Sequence, residues 1–135
     1  MAHRFRKNLA PPGWHTLTPR IFVHGMTDCI AFLRKVFGAR GRYQSDRPTQ
    51  LTIGDSILMV NEVGARPATG AFLYVYVRDV DLIHRKAVRA GAKSVEAPTQ
   101  MPYGDRRCMF EDRWGNVWQV ATRIKRTTRR SRPRA

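Results

Sequence analysis

The sequence predicts an α+β fold in which two βαβββ repeats form a cupped mixed sheet with the helices on its outer face. Each half of the chain, residues 14–63 and 70–123, gives the order strand, helix, strand, strand, strand. Each predicted helix has one apolar stripe and ends near a glycine, Gly38 or Gly91. Such a helix needs one sheet face to cover its stripe, which leaves the other sheet face free to curve around a ligand.

The first half begins with a strand predicted over residues 14–23. Pro19 places this strand at a sheet edge, because proline donates no hydrogen bond to a ladder. Thr27 or Asp28 is expected to cap the first helix. The buried face of that helix is predicted to contain Ile30, Leu33, Val36 and Phe37. The next strands are predicted over 50–53 and 56–61, with 41–47 as either a strand or a loop.

The second half begins with a strand over 71–77 that has bulky side chains on both faces, so both faces are expected to be covered. Asp81 is expected to cap the second helix. The buried face of this helix is predicted to contain Leu82, Ile83, Ala87 and Val88. A strand over 93–97 precedes a loop over 98–104, and strands over 106–110 and 116–122 form a hairpin around 112–115.

The charge of the chain is concentrated at its ends. The net charge is +15, and ten of the 25 basic residues lie in residues 1–13 and 123–135, which contain no acid. We therefore expect a basic arm over 1–13, a single domain over 14–123 and a basic tail over 124–135. Such tails favour weak nonspecific contact with nucleic acid or an anionic surface, or else serve only solubility. With no membrane-length apolar run and no secretory signal, the protein is expected in the cytoplasm.

Several local segments occur in a recognisable order. Residues 30–39, IAFLRKVFGA, form a helix with a glycine stop, and residues 54–59, GDSILM, form a hairpin that enters a strand. The remaining segments are VRDVD at 77–81, AGA at 90–92, YGDR at 103–106 and EDRWGNVW at 111–118. Together they resemble the vicinal oxygen chelate superfamily, the group of glyoxalases, bleomycin-resistance proteins and extradiol dioxygenases. The resemblance implies the doubled βαβββ fold, a cupped cavity and frequent dimers.

The resemblance also implies where a metal would be held. Metal enzymes of the superfamily have His or Glu ligands on the first, fourth, fifth and eighth strands. The aligned positions here are Thr18, Met59, Phe72 and Gln119, which are poor ligands for a divalent metal. His15 is three residues from Thr18, so strand alternation places it on the opposite face unless the register slips by one residue. We therefore predict no metal and no cofactor.

Strand alternation predicts the side chains that line the cavity, because apolar residues assigned to the core leave their neighbours on the other face. The resembling family adds the loop over 103–106, whose Tyr103 and Arg106 either contact the ligand or belong to a plain glycine turn with a local Asp105 hydrogen bond. The predicted ligand-binding residues are Thr18, Arg20, Phe22, Ile57, Met59, Asn61, Phe72, Tyr74, Tyr76, Tyr103, Arg106, Val117 and Gln119.

These residues favour a homodimeric small-molecule binding protein whose ligand is flat or hydrophobic, with Arg20 able to meet an anionic group. The aromatic residues have an alternative role, which is packing against a second subunit. The first alternative function is a metal-dependent lyase, isomerase or dioxygenase. The predicted lining argues against it, because it contains no His, Asp or Glu for acid–base chemistry. The second alternative is nucleic-acid association through the basic tails.

Overall fold

The computed structural model describes residues 9–64 and 66–124, which fall into two compact units that meet in sequence between Gly70 and Ala71. The first unit contains β1 (Arg20–Val23), α1 (Met26–Phe37), β2 (Thr49–Ile53) and β3 (Ser56–Glu62). The second unit contains β4 (Phe72–Tyr76), α2 (Val80–Arg89), β5 (Lys93–Gln100), β6 (Asp105–Glu111) and β7 (Val117–Arg123). The predicted α+β class is confirmed. That residues 14–123 form a single domain stays a prediction.

The sheet of the first unit has the strand order β1-β3-β2, with β1 parallel and β2 antiparallel to β3. One face of this sheet is buried, and α1 packs against it through β1 and β3. Removing these apolar side chains from water stabilises the unit. The buried side chains are Ile21, Val23, Leu51, Leu58 and Val60 from the sheet, and Cys29, Ile30, Leu33 and Val36 from the helix.

The start of the first unit differs from the sequence prediction. β1 begins at Arg20, so residues 14–19 form no strand and strand alternation does not decide which way His15 and Thr18 point. Pro19, which has no N–H to donate, lies beside β3 just before β1 begins. Its carbonyl oxygen accepts a hydrogen bond from the Met59 N–H at 3.1 Å. Residues 41–47 form a loop.

The cap of α1 also differs from the prediction. The helix begins at Met26, so the expected caps Thr27 and Asp28 lie inside its first turn. The residue at the N-cap position is Gly25, which makes no side-chain cap hydrogen bond. The Glu62 carboxylate at the end of β3 accepts instead from the backbone N–H groups of Gly25 and Met26, at 2.9 and 2.8 Å. A carboxylate there satisfies free donors and complements the positive end of the helix dipole. The helix ends at Gly38 in the left-handed conformation, as predicted.

The sheet of the second unit has the strand order β4-β7-β6-β5, in which β4 is parallel to β7 and the other pairs are antiparallel. Helix α2 packs against β5, β6 and β7. Asp79 caps this helix by accepting from the Leu82 N–H at 3.1 Å, so the expected cap at Asp81 was wrong. Leu82 and Val88, which were expected on the buried face, are exposed, because the helix buries Val80 and Ala87.

The β6–β7 turn is organised by one buried carboxylate. Asp112 accepts hydrogen bonds from the backbone of Trp114 and Asn116, from the Asn116 amide and from the Trp118 indole at 2.9 to 3.3 Å. The Asn116 side-chain oxygen then accepts from the Ala71 N–H at 3.0 Å. The turn is therefore joined directly to the residue that precedes β4. Neither helix in the described residues has the length and apolar character that crossing a membrane requires.

Candidate functional site

Strand β4 presents aromatic rings on the sheet face that lies opposite α2. Phe72, Tyr74 and Tyr76 are 63%, 40% and 60% exposed, and they alternate with the half-buried Leu73 and Val75. This alternation follows from the two-residue period of an extended strand. The Tyr74 and Tyr76 ring centres are 5.4 Å apart, with a tilt of 52° between the ring planes. We call Phe72, Tyr74, Tyr76 and the 49% exposed Tyr103 the aromatic face.

A fully buried carboxylate lies beneath the aromatic face. Asp105, the first residue of β6, has no exposed surface. One of its oxygens accepts from the hydroxyl groups of Tyr74 at 2.7 Å and Tyr76 at 2.8 Å. Its other oxygen accepts from the Arg123 guanidinium at 3.0 Å. A buried charge needs such partners, because an unpaired carboxylate in the interior is strongly unfavourable.

The loop before β6 extends this hydrogen-bond network. The Tyr103 hydroxyl lies 3.2 Å from the Tyr74 hydroxyl and accepts from Arg107 at 3.2 Å. The single Tyr74 proton is used by Asp105, so Tyr103 must be the donor in the bond between the two tyrosines. The hydrogen bonds therefore run in one direction, from Arg107 through both hydroxyl groups to the carboxylate. Arg107 is held in turn by Glu96, at 2.9 Å.

Gly104 makes room for the guanidinium that reaches Asp105. It adopts a φ of 104°, and a Cβ atom at this position would lie 3.2 Å from the Arg123 guanidinium. Arg123 also donates to the Tyr103 carbonyl oxygen at 2.9 Å. Glycine is favoured here because other residues rarely adopt a positive φ. The turn therefore serves the polar network, and the Asp105 side chain makes long-range hydrogen bonds where the turn interpretation expected a local one.

The network changes the proton affinities of its members. Burial acts most strongly on the pKa of Asp105 and opposes its ionisation, but the hydrogen bonds from Tyr74, Tyr76 and Arg123 together lower that pKa below its usual value. Burial, followed by the hydrogen bonds with Tyr103 and Asp105, raises the pKa of Tyr74. The hydrogen bond to Asp105, followed by burial, raises the pKa of Tyr76. At neutral pH the carboxyl is therefore ionised and both phenols keep their protons.

The first unit contains a smaller polar group on the sheet face opposite α1. The Arg20 guanidinium donates to the Asn61 side-chain oxygen at 2.8 Å and lies 5.3 Å from the centre of the Phe22 ring. The register places Arg20 beside Met59 and Phe22 beside Asn61. Arg20 makes no other hydrogen bond to a described residue. Its remaining N–H groups are therefore available to an anionic group.

The structure distributes the predicted ligand-binding residues over several surfaces. On the first unit, Arg20, Phe22, Ile57, Met59 and Asn61 share the sheet face just described, and Thr18 lies before β1 outside any strand. On the second unit, the register places Val117 beside Phe72 and Gln119 beside Tyr74, on the aromatic face side of the sheet. Whether these residues bind a ligand stays a prediction.

Arg106 does not lie beside the aromatic face. Its guanidinium donates to Asp81 of α2 at 3.0 Å, on the opposite side of the sheet. The neighbouring Arg107 points to the aromatic face, because successive side chains of a strand alternate. The guanidinium that contacts the Tyr103 hydroxyl is therefore that of Arg107.

Sequence reasoning missed Asp105, and with it the carboxylate beside the predicted tyrosines. Because Asp105 has no exposed surface, the expectation that the lining itself contains no Asp or Glu stays a prediction. The signal was present in the sequence: extending the predicted strand from 106 to 105 places Asp105 on the face opposite Cys108 and Phe110. The prediction failed because the glycine turn made residue 105 look like part of the loop.

The residues aligned with metal ligands do not fit a divalent metal. Phe72 and Met59 provide a hydrocarbon ring and a thioether, and Thr18 and Gln119 provide only neutral oxygen and nitrogen atoms. Across residues 9–64 and 66–124, no group of three or more His, Cys, Asp or Glu side chains is arranged to hold a metal ion.

The family model described as "Glyoxalase/Bleomycin resistance protein/Dioxygenase superfamily" matches residues 15–120, which include both units. The chain belongs to this superfamily. The match is long enough to contain every strand and helix except the last residues of β7. No significant match is found among curated proteins.

Solved structures agree with the superfamily fold. TioX from Micromonospora sp. ML1 is 24% identical with a TM-score of 0.70, and the match covers 82% of this chain and 99% of that one. A superfamily enzyme from Burkholderia phytofirmans PsJN is 23% identical with a TM-score of 0.70, covering 79% and 97%. A gene product from Arabidopsis thaliana is 23% identical with a TM-score of 0.66, covering 80% and 98%. At these identities, the likeness to superfamily structures concerns the fold alone.

Proposed function

We propose that this chain is a metal-independent small-molecule binding protein whose aromatic face takes a flat or hydrophobic ligand. One observation carries the proposal. The hydroxyl groups of Tyr74 and Tyr76 are fixed by hydrogen bonds to Asp105, while these two residues remain 40% and 60% exposed. Fixed rings lose little further freedom when a ligand stacks on them, so more of the contact energy appears as affinity. Exposed aromatic surface of this kind is typical of ligand-binding surfaces.

Arg20 supports a separate proposal for the first unit by itself, which is the binding of an anionic group. Its guanidinium is oriented by Asn61 and Phe22, and its remaining N–H groups have no partner among the described residues. A guanidinium that is already oriented binds a sulfonate or carboxylate through paired hydrogen bonds with a smaller loss of side-chain freedom. We therefore propose that the first unit binds an anionic group such as a carboxylate or a sulfonate.

The test uses two fluorescent probes that differ mainly by one charge. 8-Anilinonaphthalene-1-sulfonate is an aromatic anion, and N-phenyl-1-naphthylamine lacks its sulfonate. Both are expected to bind, and treatment with a chelator should leave both affinities unchanged. Phe72→Ala should weaken both probes by about fivefold or more, because it removes an exposed ring that contributes roughly 1 kcal/mol or more of contact. Arg20→Gln tests the anion proposal for the first unit separately, and it should weaken only the sulfonate probe.

Val88→Ala is the matched control for Phe72→Ala, since Val88 is an exposed apolar residue on α2. It should leave both affinities unchanged. Equal weakening by Phe72→Ala and Val88→Ala would count against the aromatic face as the binding surface. Loss of probe binding after chelation would count against metal independence.

We also propose that the protein is a cytoplasmic homodimer. The support is Val95 on the edge strand β5, an apolar residue outside the aromatic face that is 54% exposed. Light scattering of the purified protein should give a mass near 31 kDa, twice the 15.5 kDa of the chain. A concentration-independent mass of 15.5 kDa would overturn the dimer without affecting the ligand-binding proposal.

A further inference from the structure

The hydroxyl groups of Tyr74, Tyr76 and Tyr103 near Asp105 differ in their remaining capacity to form a hydrogen bond with a ligand. Tyr74 donates to Asp105 and accepts from Tyr103, and Tyr103 donates to Tyr74 and accepts from Arg107. Tyr76 donates to Asp105 at 2.8 Å, and the neighbouring Tyr74 hydroxyl, with which Tyr76 also interacts, gives its single proton to Asp105 at 2.7 Å and not to Tyr76. A phenol has one proton and can also accept, so the Tyr76 oxygen keeps its acceptor capacity.

The direction of the Tyr76 hydroxyl is fixed by the charge behind it. A hydrogen bond from a hydroxyl to a carboxylate is roughly twice as strong as one between neutral groups. Turning the Tyr76 proton toward a ligand would break that bond and would leave the buried Asp105 with one donor fewer. The Tyr76 hydroxyl therefore faces a ligand as an acceptor.

The geometry points to Tyr76 as a specificity-determining residue that selects aromatic ligands with an N–H or O–H donor at the ring edge. This inference rests on the proposed binding function of the aromatic face. A donor on the ligand completes the hydrogen bonding of the Tyr76 oxygen. An ether or a carboxylate placed at the same point would set its lone pairs against those of the tyrosine, with the Asp105 charge behind them.

The experiment compares indole with 1-methylindole as competitors of bound 8-anilinonaphthalene-1-sulfonate. The two compounds have the same flat ring system, and only indole has an N–H donor. Indole should displace the probe at about three- to tenfold lower concentration than 1-methylindole, as expected for one neutral hydrogen bond. In Tyr76→Phe the ratio should fall to about one, because the ring remains and the acceptor is lost.

Tyr103→Phe is the matched control, because it removes a hydroxyl of the same network whose donor and acceptor roles are already used within the chain. This variant should keep the preference for indole. The comparison of indole with 1-methylindole on the unsubstituted protein does not depend on the folding of any variant. For each variant, thermal unfolding is measured as well, to show that the protein is folded.

Three results would overturn the inference: equal displacement by both compounds, failure of both to displace the probe, or a preference for indole that survives in folded Tyr76→Phe. Equal displacement combined with weaker probe binding in Phe72→Ala would leave the proposed function standing and remove only the role of Tyr76. Probe binding that is insensitive to Phe72→Ala would remove the proposed function itself.

Discussion

At the scale of single residues, Asp105 stands out because it is completely buried and yet ionised. Its carboxylate is satisfied by Tyr74, Tyr76 and Arg123, each from a different position in the sequence. A group of this kind stabilises a structure only while all of its partners are in place, since the loss of one partner leaves another polar group unsatisfied.

We expect Asp105→Ala to lower the free energy of unfolding by about 3 kcal/mol, because two phenols and a guanidinium lose their common acceptor. Urea denaturation monitored by circular dichroism measures this change. Asp81→Ala is the control, since Asp81 also pairs with an arginine but its side chain is 41% exposed. A partly exposed pair contributes less than about 1 kcal/mol. Equal losses in the two variants would contradict the importance of burial at Asp105.

Asp105 also predicts how stability depends on acid. The pKa of its carboxyl is lower in the folded chain than in the unfolded chain, where it is about 3.9. Its contribution to stability is therefore complete above that value and is lost as the pH falls through the folded pKa. The free energy of unfolding should decrease below about pH 4, and Asp105→Asn should decrease less steeply in urea titrations at each pH. Parallel curves for the two proteins would refute this assignment.

At the scale of elements, each helix has an acidic group at its N-terminus, but the two groups come from different places. Asp79 caps α2 from the adjacent residue, as a local cap does. Glu62 reaches the start of α1 from the end of β3. The hydrogen bonds from Met26 and Gly25 lower the pKa of the Glu62 carboxyl. Glu62 therefore joins the start of α1 to the end of β3, and its partner Met26 lies 36 residues earlier in the chain.

Glu62→Ala should lower the free energy of unfolding by about 1 kcal/mol, which is the usual contribution of a helix cap. Thr27→Ala is the control, because Thr27 is an exposed residue inside the first turn and gives α1 no cap hydrogen bond. That variant should change stability by less than about 0.5 kcal/mol. Chemical denaturation measures both changes, and a larger effect of Thr27→Ala would show that the cap is assigned to the wrong residue.

Most elements could be predicted from sequence because their signals are local. The apolar periodicity and the glycine stops predicted both helices and their places in the chain. Strand alternation predicted that Phe72, Tyr74 and Tyr76 share one face of the sheet. The cap of α1 could not be predicted, because Glu62 meets the helix only after β3 has paired with β1.

The hydrogen-bond network around Asp105 could not be predicted from the sequence either, because it too depends on how the strands pair. Tyr74, Tyr103 and Asp105 are brought together by the pairing of β4 with β7 and of β6 with β7. The alternation of side chains along a strand places each residue on one face of the sheet, but it does not give the distance between residues of different strands. The ligand-binding role of these residues therefore still depends on the binding experiments.

At the scale of the whole molecule, charge divides the sequence into a moderately basic centre and strongly basic ends. Residues 124–135 contain six basic residues and no acid. The basic tail lies mostly outside the described residues, as does most of the basic arm over 1–13. The nucleic-acid alternative depends on these segments and is independent of the aromatic face.

If the tail binds nucleic acid, affinity for a DNA duplex should fall steeply between about 50 and 200 mM salt, because phosphate contacts release counterions. Deleting residues 124–135 should then abolish this association and leave the binding of 8-anilinonaphthalene-1-sulfonate unchanged. Fluorescence anisotropy of a labelled duplex measures the first effect. Duplex affinity that is insensitive to the deletion would remove the tail as the binding segment.

The contact between Asn116 and Ala71 has a consequence for recognition at a distance. The side-chain oxygen of Asn116 holds the Ala71 N–H, and the Ala71 carbonyl oxygen accepts from Val117. This pair of bonds fixes where β4 starts along β7. A slip of one residue there would turn Phe72 and both following tyrosines inward and bring Leu73 and Val75 out. If the aromatic face binds ligands as proposed, a substitution at Asp112, which shapes the turn but contacts no ring of the aromatic face, should weaken ligand selectivity.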